Sequence, residues 1–136
     1  MQRSARFLAA LALALAAPLA AAQGALLDGK KFVGDIGPVG KGAEDKGAVI
    51  SFADHRLHSS VCDKYGFDRG IYFTTRDGEV VRFEAVTYSE EYGRNHWRGV
   101  IKGGEIEGTL SYRGKPGLFD KNPAPVEKWF KATLVQ

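Results

Sequence analysis

Cysteine is nearly absent: Cys62 is the only one among 136 residues. A single cysteine forbids an intrachain disulfide, and without a Cys-x-x-Cys pair the chain is not a dithiol oxidoreductase of that type. The fold therefore rests on packing and hydrogen bonds. Long helical periodicity is also missing. No window after residue 24 repeats apolar residues at a 3.6-residue spacing, which excludes a helical bundle. Excess charge is missing once the first 22 residues are set apart. That stretch carries two of the nineteen Lys and Arg, leaving seventeen against sixteen acids, a net charge of +1. So balanced a domain has no basic footprint for nucleic acid. The segment GPVGKG (37–42) pairs glycine with Lys41 but lacks the first glycine and the Ser/Thr of a phosphate-cradling loop.

What is present begins at the N-terminus. Arg3 and Arg6 precede the apolar run Phe7–Ala17, followed by Pro18 and the small residues Ala20-Ala21-Ala22. A charged start, a short apolar stretch and an A-x-A site read as a secretory signal peptide, residues 1–22, cleaved after Ala22. The run is too short for a membrane span, so no span is expected after cleavage. The expected localisation is periplasmic or secreted. Residues 23–136 then form a single domain, long enough for one core.

All seventeen glycines fall in that domain, roughly twice ordinary usage. Between them the apolar residues alternate with polar ones, the period of a half-buried strand. Expected strands are Lys31–Ile36, Ala48–Ala53, Arg56–Cys62, Ile71–Thr75, Glu79–Tyr88, Asn95–Lys102, Glu105–Tyr112 and Lys128–Val135. Asp54-His55, Arg76-Asp77-Gly78 and Gly103-Gly104 read as hairpin turns. Eight strands joined mostly by short turns pair as antiparallel neighbours. The expected fold is all-β, an eight-stranded antiparallel up-and-down barrel; a two-sheet β-sandwich is the alternative.

The chemistry-bearing residues are few. His55, His58, Cys62 and Asp63 have the right types for zinc or copper. On a strand rising about 3.3 Å per residue, however, His58 and Cys62 stand roughly 13 Å apart. Only a sharp bend at Ser59-Ser60, or help from His96, brings such ligands together. No metal site and no cofactor are expected. Cys62 reads first as a small buried hydrophobe, with a reactive thiol or a cysteine nucleophile as alternatives. Acids cluster at Glu84, Glu90-Glu91 and Glu105/Glu107; Glu105 and Glu107 share a polar face with Thr109 and Ser111, so a solvated outer face is expected rather than the apolar pocket that acid–base catalysis needs. The inward-reading faces carry Phe52, Phe73, Phe83, Trp97, Tyr112 and Phe130. These rings either fill the core or line a cup for one small apolar ligand. The loops carrying Tyr65 and Phe67, and Pro116, Pro123 and Pro125, are placed at the mouth of such a cup.

The segments LLDGKKFVGDIG (26–37), SFADHRLHSSVCDKYGF (51–67) and HWRGVIKGGEIEGTLSY (96–112) together resemble a family of small exported bacterial proteins. The strand Trp97-Arg98-Gly99 leading into a hairpin and Glu107-Gly108 is loosely similar to the calycin superfamily of lipocalin-like barrels. The lipocalin G-x-W near the N-terminus and its paired cysteines are absent. The likeness implies a ligand-binding type of barrel and carries over no catalytic residue. The expected role is therefore non-catalytic binding of a small, partly apolar ligand, with Phe52, Cys62, Tyr65, Phe73, Phe83, Trp97 and Tyr112 as candidate contacts. A filled-core module binding an envelope protein partner is one alternative, and a thiol-dependent role for Cys62 is another.

Overall fold

A computed structural model describes residues 25–136. The signal peptide expected at 1–22 lies outside the described residues. Eight strands follow one another: β1 (Lys31–Pro38), β2 (Asp45–Ala53), β3 (Arg56–Ser59), β4 (Gly70–Asp77), β5 (Val80–Ser89), β6 (Gly93–Lys102), β7 (Glu105–Gly114) and β8 (Val126–Leu134). Each pairs antiparallel with the next, and β8 returns to β1 through Phe32↔Leu134 to Pro38↔Lys128. The sheet is a closed up-and-down barrel. That closure rules out the two-sheet sandwich and leaves no long unpaired edge.

Alternation sorts the side chains. On β5, Val81, Phe83, Ala85, Thr87 and Ser89 are buried, while Arg82, Glu84 and Tyr88 are exposed. The interior holds a stack of rings. Phe52 meets Phe32, Tyr72 and Phe83 edge-on at centroid distances of 6.2, 5.1 and 5.4 Å. Phe130 continues the stack to Phe83 and Trp97 at 6.2 and 5.4 Å. Gly99 and Gly108 face each other across β6 and β7. They make room for these rings: a Cβ on Gly99 lies 2.5 Å from the Phe83 ring, and one on Gly108 lies 2.7 Å from Phe130. Each ring covers the backbone that its facing glycine leaves bare.

One end of the barrel is stoppered. The turn at residues 25–29 inserts Leu27, which is fully buried. Tyr72 Oη donates to Asp28 Oδ1 at 2.6 Å and accepts from the Leu27 N–H at 3.1 Å. The same carboxylate accepts the backbone N–H of His55. It thereby holds the Asp54-His55 turn, whose φ values of 51° and 60° are left-handed, as a tight two-residue hairpin requires. Burial and the neighbouring Asp28 carboxylate push the Tyr72 phenol above its ordinary pKa.

Two expectations about β3 and β4 are corrected. β3 ends at Ser59 rather than Cys62, and the chain bends into a 3-10 helix, Ser60–Tyr65. The Ser60 hydroxyl accepts the Val49 N–H at 3.0 Å, so a side chain replaces the next rung of the ladder. On β4 the faces are reversed. Tyr72 points inward, while Ile71 and Phe73 are 49% and 67% exposed. Gly70 sets this register: its Cβ position lies 2.0 Å from the Val86 carbonyl oxygen, so only glycine fits inside there. Tyr72, two residues on, shares its face.

Candidate functional site

The 3-10 helix sits at the end opposite the stopper, together with the β1–β2, β5–β6 and β7–β8 loops. A cavity of about 320 Å³ opens there. Its buried lining is Ile36, Cys62, Phe67, Asn95 and Leu110. Tyr65, Tyr92 and Tyr112 form an aromatic wall, and Glu44, Asp45, Lys64 and Lys128 supply charges. Below it the ring stack fills the interior, so the hollow is confined to the upper end of the barrel.

The wall is cross-braced. Tyr112 Oη donates to the Tyr92 carbonyl at 2.7 Å, and its ring meets Phe67 at 6.3 Å. Tyr65 and Tyr92 pack edge to face at 5.2 Å, and Lys64 Nζ lies 5.0 Å from the centre of the Tyr65 ring. Ser89 donates to the Tyr65 carbonyl at 2.7 Å and accepts the Tyr92 N–H at 3.1 Å. One buried hydroxyl thus ties the 3-10 helix to the β5–β6 loop. Lys128 Nζ pairs with Glu44 at 3.3 Å, a half-exposed contact of small energetic value.

Asn95 is the buried polar side chain of the lining. Ser59, Thr87 and Ser89 are buried as well, outside that lining. Asn95 Nδ2 donates to Cys62 Sγ at 3.5 Å, and Trp97 Nε1 to Thr87 Oγ1 at 3.4 Å. The cavity therefore offers apolar surface at Ile36, Leu110 and Phe67, with hydrogen-bonding groups beside it. Asp45 reaches this lining through a bulge. Gly34 pairs with Ala48, but Ile36 pairs with Asp45, so Lys46 and Gly47 (φ 69°) stand against Asp35 alone. The extra residue turns Asp45 toward the cavity.

Cys62 is 8% exposed. Burial pushes its thiol up from 9.0 to about 11, and the nearby Ser59 hydroxyl opposes this without reversing it. Neither histidine weighed as its partner serves it. His58 Nε2 is bonded to Asp63 Oδ1 at 2.5 Å, and His96 Nε2 to Glu84 Oε1 at 2.5 Å on the outer wall. That bond from His96 holds the Glu84 carboxyl below its ordinary range. The bend at Ser59-Ser60 does form, yet no group of three possible metal ligands assembles among the described residues.

The seven candidate contacts thus separate. Cys62, Tyr65 and Tyr112 line the cavity. Phe52, Phe83 and Trp97 belong to the packed stack below it. Phe73 lies on the outer wall, in an open depression with Ile71, Val86 and Tyr88. Pro116 and Pro123 stand at the mouth end but border a separate groove. The cavity residues not anticipated include Ile36, Asp45, Tyr92, Asn95, Leu110 and Lys128. Asn95 and Lys128 continue the inward faces of Trp97 and Phe130, so alternation carried two residues further points to them. No family model, curated protein or solved structure matches this chain.

Proposed function

We propose that this protein is a non-catalytic binding barrel that holds one small, partly apolar molecule in the cavity beneath the 3-10 helix. The observation that carries this reading is the unequal filling of the barrel. One end is stoppered by Leu27 and packed with rings, while the other keeps about 320 Å³ of space. That volume lies at the lower end of the range for small-molecule sites. Tyrosines, Asn95 and Lys128 beside Leu110 and Ile36 suit a ligand with an apolar body and a polar end. The raised pKa and burial of Cys62 favour a packing and hydrogen-bonding role over a reactive one. In this reading the barrel works outside the cytoplasm, after removal of the leader at residues 1–22.

Titration with anilinonaphthalene sulfonate tests the proposal. One equivalent is expected to bind. Leu110→Trp, which fills the cavity from its buried lining, is expected to abolish binding while keeping a cooperative melt. Phe73→Ser on the outer wall is expected to leave it unchanged. Undiminished binding to Leu110→Trp, or loss with Phe73→Ser, overturns the assignment.

A further inference from the structure

The loop Lys115–Pro125 between β7 and β8 stands at the mouth end. Its tip is a folded turn. The Gly117 N–H donates to the Asp120 carbonyl at 2.7 Å, and Asp120 Oδ1 accepts the Asn122 N–H at 3.2 Å. That turn holds Leu118 and Phe119 in solvent, 85% and 99% exposed. Scattered single apolar residues on a surface are ordinary. Two large ones side by side at the tip of a hydrogen-bonded loop present an apolar wedge.

Behind the tip lies a groove of about 420 Å³ lined by Arg94, Arg113, Lys115 and Lys121. No acid is among its lining residues, and none of the four cations is in an ion pair among the described residues. Their partners are neutral. Arg113 Nη1 donates to Asn122 Oδ1 at 3.1 Å, and Lys115 Nζ donates to the Glu90 carbonyl. The nearest acids in sequence, Asp120, Glu90 and Glu91, stay outside the groove's lining. The domain as a whole is nearly neutral, so this local excess is a property of one end of the barrel.

An apolar wedge beside uncompensated cations is complementary to a bilayer surface with anionic headgroups. The two apolar side chains enter the acyl boundary and the cations meet phosphates. We propose that this end of the barrel docks on an anionic lipid surface, with Leu118 and Phe119 inserted and Arg94, Arg113, Lys115 and Lys121 facing the headgroups. The cavity mouth opens at the same end, so docking turns it toward the lipid. The inference rests on the loop and its groove, and holds or fails independently of what the cavity contains.

Co-sedimentation with vesicles tests it. The protein is expected to bind equimolar phosphatidylglycerol–phosphatidylcholine vesicles at low salt, and to release at high salt. It is expected to ignore pure phosphatidylcholine. Lys121→Gln is expected to weaken binding about fivefold, the usual effect of one cation near such a surface. Leu118→Ser with Phe119→Ser is expected to weaken it at least about tenfold, with the melting temperature unchanged because both side chains are exposed. Phe119→Trp is expected to shift its emission to the blue on anionic vesicles only. Absence of binding to the anionic vesicles, equal binding to both vesicle types, or undiminished binding by the double serine variant overturns the proposal. So does binding of inorganic phosphate in the groove without any vesicle binding, which makes it a site for soluble anions.

Discussion

Replacing Gly99 by alanine places a methyl carbon 2.5 Å from Cε1 and 2.7 Å from Cζ of Phe83, and 2.9 Å from the Glu107 carbonyl oxygen. Ordinary contacts at such a carbon begin near 3.4 Å, so the ring must retreat by roughly an ångström. It has little room to do so, since Phe52 and Phe130 flank it at centroid distances of 5.4 and 6.2 Å. Overpacking of this kind costs about 1–3 kcal/mol, and the fixed carbonyl places Gly99→Ala in the upper part of that range. For a domain of this size the melting temperature falls by roughly 8–12 °C. Gly42→Ala is the control: nothing lies within 4 Å of its added carbon, and its effect is expected to stay within about 0.5 kcal/mol. Phe83→Leu frees the space that the new methyl needs. The double variant is therefore expected to be more stable than the sum of the single losses by at least about 1 kcal/mol. Urea and thermal unfolding of the wild type and the four variants measure this. If Gly99→Ala is as mild as Gly42→Ala, or the Gly99 and Phe83 losses are additive, the rings do not fill the barrel as described.

Cys62 gives stability a pH dependence with a defined sign. Its thiol is held protonated up to about pH 11 in the fold, against 9.0 in the open chain. Below pH 9 both states are protonated and the contribution is complete; between 9 and 11 only the unfolded chain ionises, and about 2–3 kcal/mol is lost. The stability difference between wild type and Cys62→Ala, from urea unfolding, is expected to fall across that window, and parallel curves contradict the burial argument. Tyr72→Phe removes the hydroxyl shared by Asp28 and the Leu27 N–H and leaves that buried amide unpaired, costing about 1–3 kcal/mol. Calorimetry and faster hydrogen exchange at Leu27 check this, and an unchanged melt counts against the stopper.

The barrel itself was legible because alternation is a strong signal wherever one face is buried. β5, β6 and β7 appear in the sequence with nearly their observed bounds, and the Asp54-His55 and Gly103-Gly104 turns are where the residue types place them. β4 was not legible. Ile71 and Phe73 on one face and Tyr72 on the other give two apolar patterns of similar strength. The choice is made by Gly70 against the Val86 carbonyl and by the bonds of the Tyr72 hydroxyl, contacts far apart in sequence. The cavity was only partly legible for a related reason. Inward aromatic residues mark a barrel interior, but whether they fill it depends on register around the whole circumference. Gly99 and Gly108 admit the rings of Phe83 and Phe130 and close the lower part. The β2 bulge at Gly47 and the bend after Ser59 then shape the upper end, and neither follows a simple period.

Native mass spectrometry of the protein purified from its producing cells tests the hollow upper end most directly. One small molecule per chain is expected, released on denaturation and missing from Leu110→Trp. A bare polypeptide mass for the wild type, or an adduct retained equally by the filled variant, contradicts the account.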